Sequence, residues 1–302
     1  MYCSLRADDP DKRGVQMRLS AFRTGKEEVN RLFVIVPAAG NGSRMNSDEN
    51  KLFMNLLGVP VIERTLRAFD TFLNRMSRKT AFSIQMVVVT AEENIFKIKR
   101  ICEKNNFAFV KDIVPGGESR QESVWNGILA LSSLPFPPGE EDVVFIHDGA
   151  RCLLDQDTLD RCLKASSMYD VCAASVPVKS TIKQTDKEDA GAVLSTPDRE
   201  TLQEIQTPQI FRYNILVEAY SSANRRGRVA TDDTSLAEAI GAKVRLIEGS
   251  YSNIKITTQE DFAIAESFLQ GEIEVPAAPV IVEKPPERRP NSPFKPLEPF
   301  EP

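Results

Sequence analysis

Histidine is almost missing from this chain: His147 is the only one among 302 residues. One imidazole excludes a two-histidine zinc site, a histidine-rich metal tract and a proton relay built from several imidazoles. Cysteine is scarce as well. Cys3, Cys102, Cys152, Cys162 and Cys172 make an odd number with no C-x-x-C pair, so neither a zinc ribbon nor a disulfide framework is expected. They read as mostly buried, reduced thiols. The longest apolar run, Leu32 to Ala39, has eight residues, far short of the roughly 20 that a membrane helix needs. Met1–Asn30 mixes acidic and basic residues without the apolar stretch of a signal peptide, and Cys3 lies too near Met1 for a lipoprotein. The expected location is cytoplasmic, with no membrane contact. An excess of positive charge is also lacking: 38 basic against 43 acidic residues leave −5, which argues against a dedicated nucleic-acid binder. Any catalysis must run on Lys, Arg, Asp and Glu, with at most one imidazole.

Nine of the 19 prolines fall between Pro276 and Pro302. Repeated proline removes backbone donors and favours extended chain, so residues 271–302 read as a disordered tail. Residues 1–30 read as a poorly ordered extension, leaving 31–270 as the working domain. There, Leu32–Val36, Met86–Val89, Val143–Ile146, Val171–Val176 and Val244–Ile247 are short, β-branched runs, expected as strands buried on both faces of a mostly parallel sheet. Ile62, Leu66, Phe69 and Leu73 share one helical face. Ser119–Glu122 and Thr257–Glu260 have the spacing of capping boxes, each ahead of a helical pattern. Strand–helix alternation predicts a three-layer α/β domain. Lys179–Gln206 is polar and threonine-rich, and interrupts the alternation as a surface excursion or a protruding arm.

The first strand runs into P-A-A-G-N-G-S-R-M, Pro37 to Met45. Small residues after a buried strand let backbone amides approach an anion, and Arg44 adds a charge that forks onto phosphate. It is not a Walker A loop, which needs Gly-Lys before Ser or Thr. Nor is it a dinucleotide fingerprint, because Met45 stands where the third small residue belongs, and this disfavours a nicotinamide dehydrogenase. Lys51 follows within a polar stretch. The second candidate, His147-Asp148-Gly149-Ala150-Arg151, comes directly after the strand Val143–Ile146, where open parallel sheets bind ligands. Asp148 there can hold Mg²⁺ against phosphates or cap the following turn. His147 reads as a hydrogen-bonded structural group.

These motifs, in this order, resemble the 2-C-methyl-D-erythritol 4-phosphate cytidylyltransferase family. The similarity covers about Phe33 to Leu269 and includes A-A-G-N-G-S-R-M…N-K (Ala38–Lys51), G-G-E-S-R-Q-E-S-V (Gly116–Val124) and H-D-G-A-R (His147–Arg151). P-V-K-S-T-I-K (Pro177–Lys183), P-D-R (Pro197–Arg199), Q-T-P-Q (Gln206–Gln209), T-D-D (Thr231–Asp233) and E-G-S-Y-S-N-I-K (Glu248–Lys255) complete the series. The resemblance implies a Rossmann-like nucleotidyltransferase fold with a dimerisation arm over about residues 178–206, and an enzyme that transfers CMP from CTP with Mg²⁺ as cofactor. It implies a homodimer with CTP and a sugar-alcohol phosphate as its small-molecule partners.

By the same resemblance, Ala38, Ala39, Gly40 and Gly42 wrap the nucleotide phosphates, while Arg44, Lys51 and Lys255 are the catalytic cations. Gly117, Glu118, Ser123 and Gly149 belong to the nucleotide site, and Asp148 to the metal. Arg151, Thr181, Arg199 and Thr207 hold the acceptor phosphate, Thr181 and Arg199 coming from the neighbouring subunit. Two departures bear on loop geometry: Asn50 replaces a proline before Lys51, and Cys152 replaces a proline after Arg151. A sister activity on ribitol 5-phosphate and a non-catalytic nucleotide-binding protein of the same fold remain as alternatives.

Overall fold

A computed structural model of the chain describes residues 30–40 and 50–271. Gly42 and Arg44, and all of the expected extensions at 1–30 and 271–302 except Asn30 and Gly271, lie outside the described residues. Among the described residues the strands are β1 (Arg31–Ala38), β2 (Asn55–Leu56), β3 (Val59–Pro60), β4 (Ser83–Thr90), β5 (Val110–Pro115), β6 (Val143–Ile146), β7 (Val171–Pro177), β8 (Gln184–Thr185), β9 (Val193–Ser195), β10 (Gln203–Arg212) and β11 (Val244–Glu248). The helices are α1 (Val61–Ser77), α2 (Ile95–Asn105), α3 (Arg120–Ser132), α4 (Gln156–Ser166), α5 (Tyr213–Arg226), α6 (Asp233–Ala239) and α7 (Gln259–Gln270).

Seven strands form one sheet in the order β11-β7-β10-β6-β1-β4-β5. All neighbours pair in parallel except β10, which runs antiparallel between β6 and β7. The alternation of β1 shows why the sheet needs helices on both faces. Leu32, Val34 and Val36 pack into one core with α1, α2, α4 and α7, whereas Phe33 and Ile35 pack into the other with α3, α5 and α6. This is the expected three-layer α/β architecture. Close packing fixes α3 on β1: a Cβ at Gly127 would stand 2.5 Å from Ile35 Cγ2.

Two strands were not legible as apolar runs. In β5 the burial pattern is mixed. In β10 the buried stretch includes Gln206, Thr207 and Gln209, and the register against β7 shifts between Ile205 and Gln209, where Pro208 offers no donor. Since Gln203 already pairs with Pro177, the polar excursion spans residues 178–202. Within it β8 and β9 pair only with each other, and Ile182, Val193 and Leu194 are exposed.

The capping spacings act differently from the simple pattern. Ser119 Oγ accepts from Glu122 N–H, but the Glu122 carboxylate reaches the N–H of Glu118. At α7 the box is one residue later than Thr257–Glu260: Thr258 is the cap, and Asp261 accepts from the N–H groups of Thr257 and Thr258. The shorter aspartate closes the reciprocal bond at this register.

Candidate active site

β1 and β6 are neighbours, so the chain leaving each reaches the same carboxyl edge of the sheet. His147 N–H donates to Ile35 O at 2.9 Å and Gly149 N–H to Pro37 O at 3.0 Å, stitching the two loops together. Between these loops and the start of α3 lies a cavity of about 490 Å³. Ala38, Ala39 and Gly40 line one side, Gly117, Glu118 and Ser123 another, and Lys51, Asp148 and Lys255 bring charge to it. Ser123 Oγ accepts from Gly117 N–H at 3.1 Å and donates to Ser119 O at 2.9 Å, fixing the turn into α3. Asn50 donates to Gly40 O at 3.3 Å and accepts from Leu52 N–H at 3.0 Å. Hydrogen bonding thus restrains Asn50, the position at which the resemblance expects proline.

Asp148 is the electrostatic centre. Its Oδ1 accepts from Arg120 Nε at 2.9 Å, and its Oδ2 lies 2.8 Å from Lys255 Nζ and 3.9 Å from Arg151 Nε. Burial pushes this carboxyl up, but Arg120, Lys255 and Arg151 outweigh it and hold the group well below the usual carboxylate range. Arg120 is half-buried at the same cavity, and although desolvation opposes its charge, Asp233 and Asp148 keep it charged, well above its ordinary value. Burial lowers Arg151, partly offset by Asp148. Arg151 is steered by carbonyls: Nη1 donates to Asn253 O at 2.6 Å and Nη2 to Ile205 O at 3.5 Å.

A buried polar lattice holds this cluster. His147 Nε2 is 3.0 Å from Arg151 O, which can only accept, so Nε2 carries the proton. Nδ1 then accepts from the Thr207 hydroxyl at 3.0 Å, whose oxygen accepts from Asp148 N–H at 3.1 Å. Burial lowers His147 to about 4, so the ring is neutral and structural. Asn253, from the loop bearing Lys255, donates to Thr207 O at 2.8 Å, and Gln206 donates to Ser250 O at 2.8 Å. The polar side chains that disguise β10 therefore orient the loops of the site.

Comparison with known proteins decides what such a site belongs to. The family model for 2-C-methyl-D-erythritol 4-phosphate cytidylyltransferase matches residues 32–271. A protein of that name from Pelotomaculum thermopropionicum is 39% identical over 242 residues, covering 80% of this chain and 95% of that one. One from Geobacter metallireducens is 38% identical over 239 residues, covering 79% and 97%. The chain belongs to the 2-C-methyl-D-erythritol 4-phosphate cytidylyltransferase family. The crystal structure of 4-diphosphocytidyl-2C-methyl-D-erythritol synthase from Anaerococcus prevotii superposes with a TM-score of 0.64 at 29% identity, covering 80% of this chain and 99% of that one.

Within this member of the cytidylyltransferase family, the expected residues divide into three groups. Ala38, Ala39, Gly40, Lys51, Gly117, Glu118, Ser123, Asp148 and Lys255 meet at the cavity, with Arg151 against Asp148. Gly149 and Thr207 do not face it. Gly149 uses its N–H on Pro37 and its carbonyl on the Thr65 hydroxyl, at 2.9 Å. A Cβ there would come within 3.1 Å of Ala38 and Ile62, so its smallness serves close packing. Thr207 is 3% exposed, and its hydroxyl is hydrogen-bonded to His147 Nδ1 and Asp148 N–H behind the cavity lining. Thr181 and Arg199 lie on the exposed excursion, Arg199 Nη1 donating to Lys179 O at 3.1 Å, and neither lines this chain's own cavity. Cys152, in the other proline position, is buried and its thiol is pushed up to about 11 by burial, with Arg64 opposing. Arg120 went unassigned in the sequence. Its signal was a cation at the first position of a helix, where the helix dipole disfavours one.

Proposed function

We propose that this chain transfers the cytidylyl group of CTP to 2-C-methyl-D-erythritol 4-phosphate, releasing pyrophosphate. The observation that carries the reading is the convergence of Lys255 and Arg151 on Asp148, with Lys51 and the Ala38–Gly40 segment lining the same cavity. An acceptor phosphate oxygen forms a bond to the α-phosphorus, and the bond from that phosphorus to the β-phosphate oxygen breaks. Pyrophosphate leaves with the electron pair. A phosphomonoester has its second pKa near about 6, so the nucleophile is already ionised at neutral pH and needs no general base. This suits a site whose only imidazole is neutral, buried and hydrogen-bonded at both nitrogens. Lys51 and Lys255 neutralise the triphosphate, Gly117, Glu118 and Ser123 receive the cytidine, and Arg151 receives the acceptor phosphate. Catalysis then consists of holding two anions in line and stabilising charge on the α-phosphoryl oxygens.

We extend the reading to Mg²⁺ entering with the nucleotide, which would have to share an Asp148 whose Oδ1 accepts from Arg120 and whose Oδ2 lies 2.8 Å from Lys255. Among the described residues no group of three or more His, Cys, Asp or Glu could hold a metal, while Mg²⁺ is commonly bound by one or two carboxylates plus substrate phosphates. Asp148 is the carboxylate that would hold it, and the ion would add positive charge to the triphosphate. We extend the reading to a homodimer, because Ile182, Val193 and Leu194 expose an apolar surface on the same excursion that carries Thr181 and Arg199. A second copy covering that surface would place these two beside its neighbour's acceptor site. No described helix is long and apolar enough to cross a membrane. The unpaired thiols Cys102, Cys152, Cys162 and Cys172 suit a reducing compartment, for which the cytoplasm is our assignment.

The test is pyrophosphate release from CTP and Mg²⁺ with 2-C-methyl-D-erythritol 4-phosphate or ribitol 5-phosphate as acceptor. Release with the first supports the proposal. Release with ribitol 5-phosphate alone, or with neither, overturns it.

A further inference from the structure

We propose that Arg120 is a positioning residue for the transfer: it grips one oxygen of Asp148 so that the other is presented to Lys255. The inference rests on the reading of Lys255 as a cation that acts on the nucleotide phosphates. At the first position of α3 a cation gains nothing from the helix dipole, yet Arg120 turns inward and engages a carboxylate through every nitrogen. Nε donates to Asp148 Oδ1 at 2.9 Å, while Nη1 and Nη2 donate to the two oxygens of Asp233 at 2.8 Å each.

Asp233 is itself held in place. It is 1% exposed, accepts from the Tyr220 hydroxyl at 2.5 Å, and its N–H donates to Gln209 Oε1 at 2.9 Å. Tyr220 is fully buried and stacked on Trp125, with centroids 6.3 Å apart and planes at 9°. Arg120 is therefore anchored from behind by α5, α6 and β10, and Asp148 is what it holds in front. A carboxylate held at Oδ1 by an anchored guanidinium is restrained from turning about its Cβ–Cγ bond, which keeps Oδ2 directed to Lys255 Nζ at 2.8 Å. The lysine ammonium sits on a flexible stem and has no geometry of its own to impose. Without the grip Asp148 turns and Lys255 loses its fixed position, a loss felt most in the transition state.

Arg120→Lys keeps the charge but removes the planar fork, and one ammonium cannot serve both Asp148 and Asp233. We expect it to lower kcat by about tenfold or more with KM for CTP within about threefold of wild type. Tyr220→Phe, which removes one hydroxyl behind the anchor, should lower kcat by about twofold to fivefold. In an Asp148→Ala background both effects should shrink to under about twofold, because nothing remains to be oriented. Competitive acetylation read by peptide mass spectrometry tests the grip without turnover: Lys255 should become about threefold more reactive in Arg120→Lys. Should Arg120→Lys not fold, Tyr220→Phe carries the same comparisons. Wild-type kcat in folded Arg120→Lys, undiminished losses in the Asp148→Ala background, or unchanged Lys255 reactivity each overturn the proposal. An inactive wild type would instead overturn the reading of function, with the acetylation result still deciding the grip.

Discussion

Lowering the pH from 7 to 5 should destabilise this protein through one residue, His147. In the folded state the ring is fully buried, its Nε2–H spent on Arg151 O and its Nδ1 accepting from Thr207. Burial lowers its pKa from 6.5 to about 4, so the unfolded chain binds the proton more readily than the folded one. The stability contributed by the neutral ring is complete above the unfolded pKa and is lost as the pH falls from 6.5 towards 4. A shift of this size corresponds to about 3 kcal/mol in full, of which about 2 kcal/mol is lost by pH 5. At about 2–4 °C per kcal/mol for a domain of this size, the melting temperature should fall by about 4–8 °C. Asp148 does not act in this window. Burial opposes its ionisation, but the surrounding cations depress its pKa, so its contribution is lost only below the ordinary carboxylate range. Urea unfolding at pH 7, 6 and 5 gives the free energies, and the single imidazole gives an unambiguous NMR signal. Stability that is flat across the window, or a native imidazole titrating near 6.5, would refute the reasoning.

Lys51→Ala and Lys255→Ala should each lower kcat by about 10²–10³, measured by pyrophosphate release, because each removes a cavity-lining cation that the proposed function assigns to the phosphates; near-normal turnover contradicts that role. Gly127→Val should cost about 1–3 kcal/mol in urea unfolding, since even a Cβ meets Ile35 at 2.5 Å. Undiminished stability would show that α3 can move off β1. Leu194→Asp should shift the mass in solution from dimer to monomer, as it puts a charge on the exposed face of the arm. A wild type that is monomeric and active would remove the assigned role of the arm.

The parts of the fold that could be read from the sequence are those where burial is carried by apolar side chains. β1, β4, β6 and β7 are of this kind, with β-branched residues packed on one or both faces, whereas β11, at the sheet edge, buries only Ile247 and is otherwise half-buried. β10 is central to the sheet yet reads as polar, because Gln206, Thr207 and Gln209 are buried to hold loops. Composition alone does not distinguish a polar residue in solvent from one satisfied in the interior. The site is legible in the same uneven way. Asp148, Arg151 and Lys255 stand in motifs with a fixed order, and the fold brings them together. Gly149 and Thr207 stand in the same motifs, but neither lines the cavity: the first packs against Ala38 and Ile62, and the second is hydrogen-bonded to His147. Their neighbours Ile62, Thr65 and His147 decide that, and no spacing in the sequence records it. Arg120 gains its meaning only from Asp233, more than a hundred residues away in the chain.

The central claim is that the clustered cations move a cytidylyl group onto a phosphate. The direct test is ³¹P NMR of CTP, Mg²⁺ and 2-C-methyl-D-erythritol 4-phosphate incubated with the protein. The account predicts pyrophosphate together with the coupled pair of resonances of a new diphosphate diester, formed in equal amounts. CMP and pyrophosphate without the diester would mean hydrolysis, and an unchanged spectrum would mean no reaction; either contradicts it.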